Sequence, residues 1–167
     1  MDHDAINLAL FVARLAVGLT IAYHGLNKVK GGLANTGKWF ESIGMKPGKL
    51  HGPLAAYTEI GGGALLVAGL LTPLAAASIV SVMVVAIWTA HRKNGFFIFR
   101  PGQGWEFCFN FAVSAFLIGS IGAGEWSLDN AFDIEWSGWS GVLISALLGV
   151  GSAVALMAVF YREPAKA

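Results

Sequence analysis

The chain has 167 residues, 56% of them hydrophobic and only 13% charged, with a mean hydropathy of +0.64. A soluble domain carries about twice that charged fraction, roughly 25%, so the composition excludes an ordinary soluble domain and points to a membrane protein. The net charge of +1 argues against a nucleic-acid or other polyanionic partner, and the single cysteine, Cys108, excludes an intramolecular disulfide and any CxxC redox or zinc motif.

Five apolar runs, each long enough to cross a hydrocarbon core of roughly 30 Å, occupy residues 5–26, 53–71, 73–91, 104–122 and 141–161. The expected fold is all-α, a single membrane domain over 1–167 built as a polytopic bundle of five transmembrane helices. The first run carries Arg14 near its middle and His24 near its end. Its leader, Met-Asp-His-Asp, lacks the positive region of a secretory signal, so the run reads as an uncleaved anchor. In LANTGKWFESIG, Asn35 or Thr36 is placed to cap a short interfacial helix with Trp39, Phe40 and Ile43 on one side and Lys38 and Glu41 on the other. The second run holds Glu59 and the triplet Gly61-Gly62-Gly63, which has no phosphate-loop or dinucleotide pattern around it and reads as a close-packing surface. Thr72, as cap, and Pro73, in a first helical turn, are expected to close a tight hairpin into the third run, which ends at His91.

The stretch NGFFIFRPGQGWE, aromatic and broken by Gly and Pro, is expected to dip into the interface before the fourth run. There Glu106, Asn110 and Ser114 recur at i, i+4 and i+8, a polar face expected to point into the bundle. Cys108 reads as a small core residue. The segment GEWSLDNAFDIEWSGWS is acidic and holds three of the six tryptophans, as an interfacial belt would. The fifth run has no ionisable group except Tyr161 and sets Gly141, Ser145, Gly149 and Ala153 at four-residue spacing, a docking face that lets a neighbouring helix approach closely. No internal repeat of the transporter kind is visible.

Charge fixes the expected orientation. With five spans, ten of the eleven basic residues (Lys28, Lys30, Lys38, Lys46, Lys49, Arg92, Lys93, Arg100, Arg162 and Lys166) fall on one side, and Asp2, Asp4, Glu125, Asp129, Asp133 and Glu135 fall on the other. The positive-inside rule then puts the N-terminus outside and the C-terminus in the cytoplasm.

Ionisable groups inside the spans are the candidate functional positions, since each costs about 2.5–3.5 kcal/mol at a helix centre on insertion scales. Arg14, roughly 15 Å deep from the outer end, and Glu59, roughly 9 Å deep from the inner end, are expected to form a buried ion pair that ties two helices or relays protons. His24, Glu59, His91 and Glu106 sit near the inner ends and are read as the lining of a pocket roofed by Phe96, Phe97 and Trp105. Such a pocket suits a quinone headgroup or another amphipathic small molecule. Two histidines on different helices are also the minimum for axial haem ligation, but no spacing selects it, and the Glu-x-x-His pairs of a di-metal carboxylate site are absent.

In order along the chain, RLAVGLTIAYHGLNK, GKWFESIG, TEIGGGALLVAGLLTPLAA, NGFFIFRPGQGWE and GAGEWSLD resemble the DoxX family of small bacterial membrane proteins, over about residues 10–130. The resemblance implies a four-helix core over the first four runs, with 141–161 as an additional C-terminal helix, in a bacterial cell membrane. It sets Arg14, His24, Gly25, Lys28, Glu59 and Asp129 at the family's recurrent polar positions and supplies no catalytic residue. Some members are associated with quinol oxidase or thiosulfate:quinone oxidoreductase assemblies, which implies an accessory, non-catalytic subunit of a respiratory or other membrane redox complex. On that reading the small-residue face of the fifth run docks against a larger partner. The alternatives are a quinone-linked oxidoreductase module, with His24, Glu59 and Glu106 handling protons, and a small transporter or proton pathway built on Arg14 and Glu59.

Overall fold

The computed structural model describes residues 2–134 and 136–164. Glu135 and Lys166, which enter the charge separation above, lie outside the described residues. Helices α1 (His3–Lys30), α2 (Leu33–Ser42), α3 (Gly48–Ala68), α4 (Thr72–Asn94), α5 (Glu106–Ile121), α6 (Leu128–Ala131) and α7 (Gly138–Phe160) follow one another, and no strand forms among the described residues. Three of them, α1, α4 and α7, are long and apolar enough to cross a membrane, and α5 is apolar but shorter. Helix α4 is the most buried of the three, because α3, α5 and α7 all pack on it.

Local signals explain most boundaries. Asp2 accepts from the Asp4 N–H at 3.1 Å at the start of α1, and Lys28 and Lys30 occupy its last turn, where cations favour the negative end of the helix dipole. Helix α3 stops at Gly69, whose φ of 62° is the left-handed closure that glycine accepts readily. The hairpin into α4 differs from expectation. Leu71 stands at the cap position, the Thr72 hydroxyl has no hydrogen-bond partner among the described residues, and the acceptor for the first N–H groups comes from Asp129, distant in sequence. Helix α2 likewise starts before Asn35 and Thr36, with Gly32 at its cap position, and both side chains donate back to carbonyls four residues earlier.

Glycine sets how closely helices approach. A Cβ on Gly25 would stand 2.5 Å from the Ala56 carbonyl oxygen, and one on Gly63 would stand 2.5 Å from that of Gly18, so α1 and α3 touch backbone to backbone. Within the triplet, Gly62 meets Ser78 of α4 and Gly63 meets α1, while Gly61 faces open space. The face of α7 formed by Gly141, Ser145, Gly149 and Ala153 is buried, as the spacing implies, but its partner is this chain. Gly141 lies on Gly119 and Ser120 of α5, Ser145 on Pro73, and Gly149 on Val80 of α4. This corrects the expectation that the face is free for a larger protein. The outward face of α7 is instead a row of exposed Leu143, Leu147, Val150, Val154 and Val159.

The two ends of the bundle differ in charge. At the basic end, the C-terminus of α7 is stitched to the loop after α2: Lys46 N–H donates to the Phe160 carbonyl at 3.1 Å and Arg162 N–H to the Gly44 carbonyl at 2.9 Å. At the acidic end, the segment 122–134 folds over the tips of α1 and the α3–α4 hairpin.

Candidate functional site

Two polar centres lie at opposite ends of the bundle. At the acidic end Asp129 is wholly buried. Its Oδ1 accepts from Leu71 N–H at 2.6 Å, its Oδ2 accepts from Thr72 N–H at 2.9 Å, and its own N–H donates to the Gly69 carbonyl at 2.7 Å. It is therefore the N-cap of α4, supplied from another part of the chain. Arg14, also buried, donates to the Trp126 carbonyl, and Asn7 Oδ1 accepts from Glu125 N–H at 3.0 Å. The acidic segment, read from the sequence as an interfacial belt, is thus pinned to α1 and to the hairpin.

At the basic end the helices enclose a cavity of about 480 Å³, within the roughly 300–1,000 Å³ range of small-molecule sites. Its walls are mainly apolar. Glu59 of α3, 4% exposed, pairs there with Lys28 of α1, 24% exposed, at 2.5 Å. Lys28 covers the distance because its aliphatic stem can lie along an apolar wall while the ammonium reaches the carboxylate. Hydroxyls from Ser78 and Ser81 of α4, and Ser152 of α7, face the same space; Ser152 donates to Ser81 Oγ at 2.9 Å.

The structure brings His24, Glu59 and His91 together around this cavity. The His24 ring packs on Phe107 at 5.3 Å, and His91 Nδ1 lies 2.9 Å from the Gln103 carbonyl oxygen. A π-helical turn over Ile87–His91 carries His91 to this position. Glu106 is not part of the lining. Its Oε2 accepts from Ile98 N–H at 3.1 Å and holds the 95–105 loop against the start of α5. The expected polar stripe on α5 faces the wrong way, because the bundle takes the small side of that helix, Cys108, Ala115 and Gly119, and leaves Asn110 exposed. The aromatic walls are Trp39, Phe40 and Phe107, replacing the expected roof of Phe96, Phe97 and Trp105, which pack on one another instead.

Arg14 and Glu59 do not pair. The register set by Gly18 on Gly63 and Gly25 on Ala56 puts Arg14 level with Val67, about 12 Å along the axis from Glu59 at ~1.5 Å per residue. Two cavity residues escaped the sequence reading as ligand-site candidates. In the sequence Lys28 reads only as an inner-loop charge and a family position. His51 precedes the second apolar run, yet it is buried in α3 against Phe160, with ring centroids 4.9 Å apart. Its spacing to Ala55, Thr58 and Glu59, one helical face, is the signal that could have found it.

A bundle of apolar helices around a partly polar internal cavity defines a helical membrane protein. The family model DoxX matches residues 9–92, half of the chain. The protein belongs to the DoxX family. No curated protein and no solved structure matches it.

Proposed function

We propose that the protein crosses the bacterial cell membrane five times, N-terminus outside and C-terminus in the cytoplasm, and serves a membrane redox complex as an accessory subunit that holds a quinone-type molecule in the basic-end cavity. The observation that carries this reading is the cavity itself, a mainly apolar chamber with the Lys28–Glu59 pair in its wall. An ammonium next to a carboxylate retains further N–H groups for a ligand carbonyl. Trp39, Phe40 and Phe107 flank the space with ring faces and edges suited to a flat headgroup. Leu54 of α3 and Leu156 of α7 border it from two different helices. The redox assignment itself comes from the family resemblance. With the small-residue face of α7 used within the chain, a partner meets the outward leucine and valine row instead.

Purification in a mild detergent, followed by organic extraction and mass spectrometry, tests the reading directly. Bound quinone near one per protein and a co-purifying oxidoreductase are expected. Protein free of both, from cells whose quinol oxidation is unchanged when it is deleted, overturns it. Reporter fusions after residues 45, 72, 100 and 130 test the topology: cytoplasmic signals at 45 and 100 and external signals at 72 and 130 are expected, the inverse pattern refutes the orientation, and any failure to alternate refutes the five spans.

A further inference from the structure

A second opening lies on the outer surface of the bundle, between α4 and α7. Leu74 and Ala77 of α4, with Leu148, Gly151 and Ala155 of α7, line an apolar groove there, and Ser78 and Ser152 line both this groove and the basic-end chamber. The two spaces therefore meet at these serines. Local sequence explains the gap. A π-helical turn over Ile144–Leu148 leads into it, and Gly149 brings α7 against Val80 of α4. Two residues on, Gly151 has no heavy atom of the described residues within 4 Å of where its Cβ would stand. With alanine at positions 77 and 155, these banks carry no side chain long enough to close the groove.

Depth decides what fills it. Ser152 precedes the end of α7 at Phe160 by eight residues, about 12 Å at ~1.5 Å per residue, so in a hydrocarbon core of roughly 30 Å the junction stands well inside the membrane. Its hydroxyls are satisfied within the chain: Ser152 donates to Ser81 Oγ at 2.9 Å and Ser78 to the Ala75 carbonyl at 2.7 Å. A groove at that depth, with no polar group left to hydrate, takes hydrocarbon. The chamber supplies the other end of such a molecule. Gly62, one turn beyond Glu59 in α3, packs on Ser78, which sets the Lys28–Glu59 pair about 5 Å along the axis from the junction. A ring held at that pair reaches the serines with its substituent, and the groove offers that substituent about 10 Å along α7, from Ala155 to Leu148.

Resting on the quinone reading of the chamber, we infer that this groove seats the ligand's tail. The chamber takes a lipid-borne, single-tailed molecule sideways from the bilayer between α4 and α7, with its ring at Lys28 and Glu59 and the first carbons of its tail over Ala77, Gly151 and Ala155. To test this, the full-length protein in phosphatidylcholine vesicles is irradiated with a long-chain alkyl benzoquinone that carries a diazirine on the tail carbons nearest the ring, and the adducts are mapped by peptide mass spectrometry. Adducts are expected within 74–78 and 147–155. They are expected to disappear with an excess of the same benzoquinone bearing a methyl group in place of the tail, because that competitor takes only the ring site. Gly151→Phe fills the groove from a position with open space around it and is expected to lose the adducts, whereas Leu19→Phe, the same ring at an exposed position of α1, keeps them. The mapping on the native protein decides the matter if Gly151→Phe does not fold. Suppressible adducts that fall only on other segments, or groove adducts that persist in Gly151→Phe, overturn the inference and leave the quinone reading standing. Labelling that the competitor suppresses nowhere means that loose hydrocarbon fills the groove and no quinone the chamber, and it overturns both.

Discussion

Replacing Asp129 by Ala removes the cap of α4 from a position far away in sequence. Two backbone N–H groups, those of Leu71 and Thr72, lose acceptors at 2.6 and 2.9 Å in a region closed to water. A hydrogen bond to a charged acceptor is worth about 1.5–3 kcal/mol. Because both bonds end on one carboxylate they are not independent, and the lower end of that range applied to each gives a loss of about 3 kcal/mol. At ~2–4 °C per kcal/mol for a chain of this size, the melting temperature falls by roughly 6–12 °C. Asp129→Asn keeps one carbonyl acceptor and turns an NH₂ towards the second N–H, so about half of the loss is expected. Glu125→Ala, an exposed acidic position in the same segment, serves as the control. Tryptophan-fluorescence melting in detergent reads the global effect. Hydrogen exchange reads the local one, with Leu71 and Thr72 amides exchanging first. Should Asp129→Ala melt within about 2 °C of the native protein and of Glu125→Ala, Asp129 is not the cap that holds the hairpin.

Three further substitutions test the rest of the architecture. Lys28→Met leaves Glu59 buried without its cation, a loss of about 3–5 kcal/mol; the double substitution Lys28→Met/Glu59→Gln regains most of it in the same melting assay, and a double variant no more stable than the single one contradicts the pair. Gly25→Leu forces α1 away from Ala56 and is expected to reduce the monodisperse yield on size exclusion sharply, whereas Gly61→Ala, facing open space, leaves it unchanged. In a Cys108→Ser background, Ser81→Cys/Ser152→Cys is expected to form an intramolecular disulfide on mild oxidation, seen as a gel shift of the monomer, because the native hydroxyls are 2.9 Å apart; cross-linked dimers in place of that shift mean that α7 packs on another protein and not on α4.

Local chemistry made the helices legible. Apolar runs and Pro73 locate α1, α3, α4, α5 and α7 to within a few residues, because these signals act within a turn or two of the residues that carry them. The site was legible only where it did not depend on register. His24 and His91 lie near helix ends that face one another in any antiparallel bundle, and Glu59 lies midway along α3 between them. The Arg14–Glu59 pair failed because depth counted from one helix end cannot reveal the sliding of α1 against α3, which the close contacts of Gly18 and Gly25 decide. The stripe from Glu106 failed for a related reason: helix packing rewarded the small side of α5 over the polar one. On α7 the spacing of Gly141, Ser145, Gly149 and Ala153 announced a tight interface and was silent about whose helix fills it.

The chamber also divides unevenly along the chain. Lys28, His51, Glu59 and His91 all fall within residues 9–92, the part that the family model matches, whereas Phe107, Cys108, Ser152 and Leu156 complete the walls from beyond it. The matched half therefore carries these polar side chains and much of the wall, including Trp39 and Phe40, and the rest of the chain closes the chamber. Divergence beyond residue 92 can retune part of the outline of the chamber while Lys28, His51, Glu59 and His91 stay where they are. Chimeras that graft residues 104–164 from another DoxX chain onto these anchors are the natural way to read that modularity.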